Sequence, residues 1–182
     1  MKKNPTKSLA LLVTLSCLLP ITALAGENAI TLSAGGAIGG GGSSTSVLVE
    51  YERALSSSIA LAGRGGYLSY SYSDDVYEES GSGPGAQVSV KFYPGGQALH
   101  GFYFGGGLGL WQMSGDWTDD KDTPWVSKGD VNTLSSEIHG ELGWRVGESV
   151  QFAPSLQVGT FLSSEAVLSQ FINVNLGVSF IF

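Results

Sequence analysis

The last fifteen residues alternate almost without fault. Leu168, Gln170, Ile172, Val174, Leu176, Val178, Phe180 and Phe182 hold the even positions. Ser169, Phe171, Asn173, Asn175, Gly177, Ser179 and Ile181 hold the odd ones. One face is apolar and the other polar or small, the period-two signature of a β-strand lying between two different environments. The same signature recurs upstream. Phe152, Leu156, Val158 and Leu162 oppose Gln151, Ser155, Gln157 and Gly159. Leu134, Ile138, Leu142, Trp144 and Val146 oppose Ser135, Glu137, His139, Glu141, Gly143 and Arg145. Phe102, Phe104, Leu108 and Leu110 face away from Tyr103 and the glycines 105, 107 and 109. Val88, Val90 and Phe92 face away from Gln87, Ser89, Lys91 and Tyr93. Three more segments, around Ile59, Val47 and Ile30, read the same way. The pattern predicts eight strands of roughly the 9–11 residues that a tilted membrane-spanning strand needs. Parity fails between Tyr67 and Tyr72, which predicts a bulge or an exit from the membrane there.

The connections sort by length. Residues 54–58, 94–101 and 147–149 are short and turn-like, 39–44 and 163–167 modest, and 74–84 and 114–131 long, polar and acidic. Outer-membrane barrels have short periplasmic turns and longer external loops, so three short turns on one side place both termini in the periplasm. A soluble eight-stranded barrel alternates as well. The smooth, bulky apolar faces, the faces opposite rich in Gly, Ser and Ala, and the terminal Phe182 favour the membrane version. So does the absence of charge from the apolar faces until Arg53, since a lipid-facing Arg or Lys costs roughly 2–4 kcal/mol at mid-membrane. The expected fold is all-β, an eight-stranded antiparallel up-and-down transmembrane β-barrel.

The N-terminal end explains delivery. Lys2, Lys3 and Lys7 precede an apolar run over 9–19 and then Ala23-Leu24-Ala25, the pattern of a signal peptide cut after Ala25. Residues 1–25 are thus expected to be removed, leaving a barrel domain over 26–182. The sole cysteine, Cys17, lacks the leucine three residues before it that a lipoprotein signal favours, so lipidation is not expected. Without the three leader lysines the formal charge moves from −7 to about −10, which argues against nucleic acid as a partner. No stretch after residue 25 is apolar enough for a spanning helix.

At this point the chain resembles a family, the small outer-membrane β-barrels of the OmpA/OmpX type. The resemblance rests on the ending Asn175-Leu176-Gly177-Val178-Ser179-Phe180-Ile181-Phe182. It rests also on Phe92-Tyr93-Pro94-Gly95-Gly96 followed by Gly101-Phe102-Tyr103-Phe104-Gly105-Gly106-Gly107-Leu108-Gly109. It implies a monomeric barrel in the Gram-negative outer membrane, in contact with its lipids. It also implies delivery by periplasmic chaperones to the barrel-assembly machinery, with Phe182 as the assembly signal. Members of the class include enzymes, adhesins and structural proteins, so the resemblance carries no single activity.

Candidate chemistry follows from parity. Glu50, Glu52, Arg64, Lys91, Glu137, His139, Glu141 and Arg145 all point into the lumen. An eight-stranded lumen is just wide enough for its side chains to fill, and unpaired charges there would cost several kcal/mol each. A salt-bridged plug is the expectation, with Arg145 compensating Glu141 or another nearby carboxylate. The expected role is non-enzymatic, in envelope integrity or in presenting the two long acidic loops to an external partner, and a role for His139 as a base in a lipid A-modifying enzyme is the alternative. His139-Gly140-Glu141 lacks an H-x-S arrangement, and no G-x-S-x-G elbow occurs. A small-solute pore is a third reading, disfavoured by the bulk of Tyr93, Tyr103 and Trp111. No cofactor or zinc site is expected. The acidic segments lack calcium-loop spacing and read as solvated surface. Trp111, Trp117 and Trp125, with tyrosines near the upper strand ends, read as an interfacial aromatic girdle.

Overall fold

The computed structural model describes residues 27–119, 127–162 and 170–182. The leader with Cys17 and Ala25, the acidic run 120–122, Trp125, the connection 163–167 and the first two residues of the terminal alternation lie outside them. Eight antiparallel strands follow one another around a ring. They are β1 (Asn28–Gly39), β2 (Gly42–Ala54), β3 (Ile59–Ser73), β4 (Tyr77–Phe92), β5 (Gly101–Asp119) and β6 (Ser127–Gly147). β7 runs in two pieces, Val150–Phe152 and Ser155–Phe161, and β8 is Gln170–Ile181. Each strand pairs with the next, and β8 returns to β1 from Ala29↔Ile181 to Ile38↔Ile172. Closure leaves no sheet edge along the ring, the condition for a sheet to survive in lipid.

The break in β7 falls at Ala153-Pro154, where proline has no N–H to donate. The Pro154 carbonyl still accepts from Trp144 N at 3.0 Å, and Ala153 N still donates to the Gly177 carbonyl at 2.8 Å. The side-chain alternation is kept across the break. β1 and β2 turn over Gly40 and Gly41, with φ of 56° and 88°, the doubly left-handed geometry of a tight hairpin.

Of the two alternatives for Tyr67 to Tyr72 the bulge is not formed, because β3 stays in register with β2 to Gly42↔Tyr72 and with β4 to Ser73↔Glu78, and the exit from the membrane is the alternative left. One expectation is corrected: 74–84 and 114–131 are not long loops. β4 begins at Tyr77, β5 continues to Asp119 and β6 begins at Ser127, so these segments are largely hairpin. Asp74 Oδ1 accepts from Val76 N at 3.0 Å and Tyr77 N at 2.7 Å and closes the β3–β4 turn.

The outer face carries an apolar belt. Leu32, Val49, Val90, Leu108, Leu142 and Val174 are all exposed. Along β3, β4 and β5 the outward residues change to Ser69, Ser82 and Ser114, and above that line the hairpins stand clear of the belt. The aromatic side chains that gather on the outer face lie at the other end. Phe92, Phe102, Phe104 and Trp144 touch one another there, with ring centroids 5.3–6.4 Å apart.

Candidate functional site in the barrel lumen

The lumen is built in three layers. Its floor comes from the connection after β4. Leu99 and Ala98 fold back under the barrel and pack with Ala29, Ala60, Tyr93 and Tyr103. Leu99 is fully buried and has a φ of 67°, a conformation that costs a non-glycine residue roughly 1–2 kcal/mol. Burying a leucine contributes roughly 1.5–3 kcal/mol, enough to hold it there. Ala98 N donates to the Ser57 carbonyl at 2.7 Å and fixes the fold-back. His100 lies in this connection, with Nδ1 3.1 Å from Gln151 Nε2.

The middle layer is ionic. Lys91 Nζ donates to Glu50 Oε1 at 2.7 Å and Glu52 Oε2 at 2.8 Å, and stands 3.8 Å from Glu141 Oε1. Arg145 Nη2 donates to Glu50 Oε1 at 2.9 Å and also to Glu52, while Nη1 reaches Thr31 Oγ1 at 3.0 Å. Arg64 holds Glu50 through Nε at 2.9 Å and through Nη2, which also reaches Glu141 Oε2 at 2.9 Å. The Tyr93 hydroxyl donates to Glu52 Oε1 at 2.5 Å. Glu50, Glu52 and Glu141 thus meet Arg64, Lys91 and Arg145, three carboxylates to three cations. Arg145 turns to Glu50 and Glu52 and not to Glu141. Glu141 shares β6 with it four residues away, about 13 Å along an extended strand, and pairs instead with Arg64.

Glu137 and His139 sit one level up. Gln87 Nε2 donates to Glu137 Oε1 at 2.5 Å, and Trp111 Nε1 donates to Glu137 Oε2 at 2.6 Å. Gln87 joins this level to the ionic layer by accepting from Arg64 Nη1 at 3.1 Å. His139 Nε2 is 3.1 Å from Ser89 Oγ. Its Nδ1 lies 2.8 Å from Glu137 Oε1 but off the line of a ring N–H bond.

The glycines of β5 explain how β4 and β6 touch. Lys91↔Gly105↔Glu141, Ser89↔Gly107↔His139 and Gln87↔Gly109↔Glu137 are three cross-strand rows. In each row side chains from β4 and β6 meet over a residue with no side chain. A Cβ at Gly109 would stand 2.8 Å from Glu137 Cγ and 2.9 Å from Gln87 Cγ.

An apolar lid closes the top. Leu48, Leu68, Trp111 and Met113 pack together, with Tyr70 and Phe161 against them. Trp111 is 2% exposed, so it belongs to the lumen and not to an outer girdle. It shares the odd parity of Tyr103 and the three glycines, the signal that would have placed it there. Trp117 lies higher still, on the hairpin. Beside the lid, Trp111, Glu137, Gln157, Phe161 and Asn173 bound a space of about 20 Å³, room for one water. Ser89, His139 and Glu137 therefore come within reach of one another, as a nucleophile, a base and its orienting carboxylate would. They do so between a salt-bridged layer and a packed lid, with the His139 side chain buried.

No protein-family model and no curated protein matches the sequence. Solved structures do. Ail, the attachment invasion locus protein of Yersinia pestis, superposes with a TM-score of 0.59 at 9% identity, over 87% of this chain and 100% of that one. Ail in complex with the heparin analogue sucrose octasulfate gives 0.58 over the same shares at the same identity. The translocator domain of the autotransporter NalP from Neisseria meningitidis gives 0.51 at 8% identity, over 97% of this chain and 95% of that one. The likeness is one of fold: the closed ring, the outward apolar belt and the filled interior are those of a small outer-membrane β-barrel.

Proposed function

We propose that the protein is a non-enzymatic integral barrel of the Gram-negative outer membrane, its lumen closed by a charged plug and its function carried by the hairpins above the belt. The observation that carries this reading is the burial of the middle layer. Among the described residues, Lys91 and Glu52 are fully buried between an apolar floor and an apolar lid, which speaks against a pore. The plug would act as a strut, since each of its charges would cost several kcal/mol if unpaired. Export would remove residues 1–25, and Phe182, which follows β8 with its side chain outward, would be read by the assembly machinery.

The sulfated ligand of Ail does not carry over. Among the described residues of the upper hairpins, Asp74, Asp75, Glu78, Glu79, Asp116, Asp119 and Asp130 stand against Lys128 alone. Such a rim repels a polyanion.

One geometric feature favours a second reading, a lipid A-modifying enzyme. It is the 3.1 Å contact between Ser89 and His139. Mass spectrometry of lipid A from cells with the gene, without it, and with Ser89→Ala separates the two. The non-enzymatic barrel leaves the acyl pattern the same in all three. A pattern that changes with the gene and reverts with Ser89→Ala would establish the enzyme instead.

A further inference from the structure

The upper ends of β3, β4 and β5 carry four aromatic side chains around one carboxylate, on the face that continues the lumen wall. Tyr72, Glu79, Trp117 and Gly129 oppose one another in a single cross-strand row. Tyr70 lies one step below this row and Tyr77 one step above it. The rings lie against glycines. A Cβ at Gly41 would come within 2.9 Å of the Tyr72 ring, one at Gly81 within 2.7 Å of Tyr70, and one at Gly129 within 2.6 Å of the Trp117 indole. The missing side chain of each glycine gives the ring beside it room to approach the backbone. Tyr72 and Tyr77 stand 6.0 Å apart between centroids, tilted by 56°. Tyr77 and Trp117 stack at 6.3 Å with 18° between their planes. All three keep part of their surface in solvent.

Glu79 sits among them, 5% exposed. The Tyr70 hydroxyl donates to its Oε1 at 2.5 Å and the Tyr77 hydroxyl to its Oε2 at 2.6 Å. Lys128, the one basic residue of the described hairpins, has the even parity that on β6 faces outward, away from this row. The phenols register the negative surroundings. Burial first, then Glu79, pushes Tyr77 up to about 12, and the hydrogen bond to Asp74 raises Tyr72. A row of aromatic rings in a field of carboxylates attracts planar cations, because the face of an aromatic ring is its negative side. Guanidinium suits such a surface better than ammonium, since it is planar and weakly hydrated.

From this we infer that the inner face of the β3–β5 hairpins docks an extended polypeptide segment carrying arginine at alternate positions. The ring spacing selects the polypeptide. Side chains on one face of an extended chain recur about every 6.6 Å, against 6.0 and 6.3 Å between successive rings here. The inference rests on the surface-interaction role proposed above. Its test uses the refolded barrel in non-ionic detergent, so it reads this surface whatever the barrel does in the cell.

The probe is a fluorescent (Arg-Ser)4 peptide followed by anisotropy, at about 0.15 M salt and again near 1 M, where the Debye length falls to about 3 Å. Saturable binding that persists in part at high salt is expected, with an Arg-Arg-Ser-Ser repeat of equal composition binding more weakly. Tyr77→Leu with Trp117→Leu should lower affinity about ten-fold at both salts, the scale of cation–π contacts. Each variant is first checked for the gel shift between unheated and boiled samples. If the double variant does not refold, Tyr72→Leu takes its place with an expected loss of about three-fold. Absence of saturable binding overturns the inference. So does binding that the ring substitutions leave unchanged, which would mean an acidic rim only. Equal affinity for the two arginine spacings overturns the alternate-position register.

Discussion

Glu50 and Glu79 are buried to nearly the same degree, at 3% and 5% exposure, and they are held in opposite ways. Glu50, in the middle of the barrel, lies among Arg64, Lys91 and Arg145. Glu79, on the hairpins, rests on the hydroxyls of Tyr70 and Tyr77. Between an apolar floor and lid a carboxylate has no water to fall back on, so only cations and their hydrogen bonds offset its desolvation. Above the belt, phenol donors suffice because solvent stands close by. The first region is electrically closed on itself, and the second holds negative charge in excess.

The comparison can be broken at several points. Removing Arg145 has the largest expected effect. Arg145→Ala leaves Glu50 and Glu52 short of a partner and should cost about 3–5 kcal/mol, read as a lower midpoint in urea unfolding of the refolded barrel. An unchanged midpoint would mean that the ionic layer does not hold the barrel together. Next comes the space over β5. Gly109→Val drives a side chain between Gln87 and Glu137 and should cost about 1–3 kcal/mol as an overpacked interior does. Gly95→Ala, whose Cβ meets nothing within 4 Å, should be neutral in the same titration.

Phe182→Ala addresses assembly. The side chain is outward and 60% exposed, so its loss should cost less than about 1.5 kcal/mol. If the assembly machinery reads that end, the quantity recovered in the outer-membrane fraction falls while the unfolding midpoint stays. A normal yield would remove Phe182 from the assembly proposal.

The smallest effect concerns the phenols. Tyr77 is raised from 10 to about 12. A raised phenol favours its protonated form in the fold, so its contribution to stability is complete below pH 10 and fades between pH 10 and 12. Spectrophotometric titration of phenolate should lose one late-ionising group in Tyr77→Phe. Loss of a group ionising near pH 10 instead would place Tyr77 outside the negative field of Glu79.

Strand number and facing were legible because lipid on one side and a filled lumen on the other give β6 and β8 two unlike faces. The hairpins were not, and β3 shows why. Tyr67 is outward, whereas Leu68, Tyr70 and Tyr72 are inward. The apolar residues change parity because the outside changes from lipid to water, while the strand itself continues without a bulge. The inward charges could be named from parity, but their partners could not. Glu50 and Arg145 are 95 residues apart, and which strands curl to face each other is a property of the closed ring. Leu99 gave no signal, since its burial depends on a turn folding back beneath the barrel.

The glycine row of β5 bears on how the barrel finds its alignment. Sliding β4 past β5 by two residues would keep every apolar side chain facing lipid, so the belt alone does not distinguish the correct pairing from its nearest error. The interior does. After such a slip toward the hairpin end of β5, Lys91 would stand over Gly107 and Ser89 over Gly109, each facing the wrong member of the series Glu141, His139 and Glu137, and Gln87 would run into Trp111. A cation would then stand opposite a histidine, and Glu137 would lose the amide that now bridges it to Arg64. Grease on the outside sets which way each residue points, and the wiring across the bare strand sets which neighbour it meets.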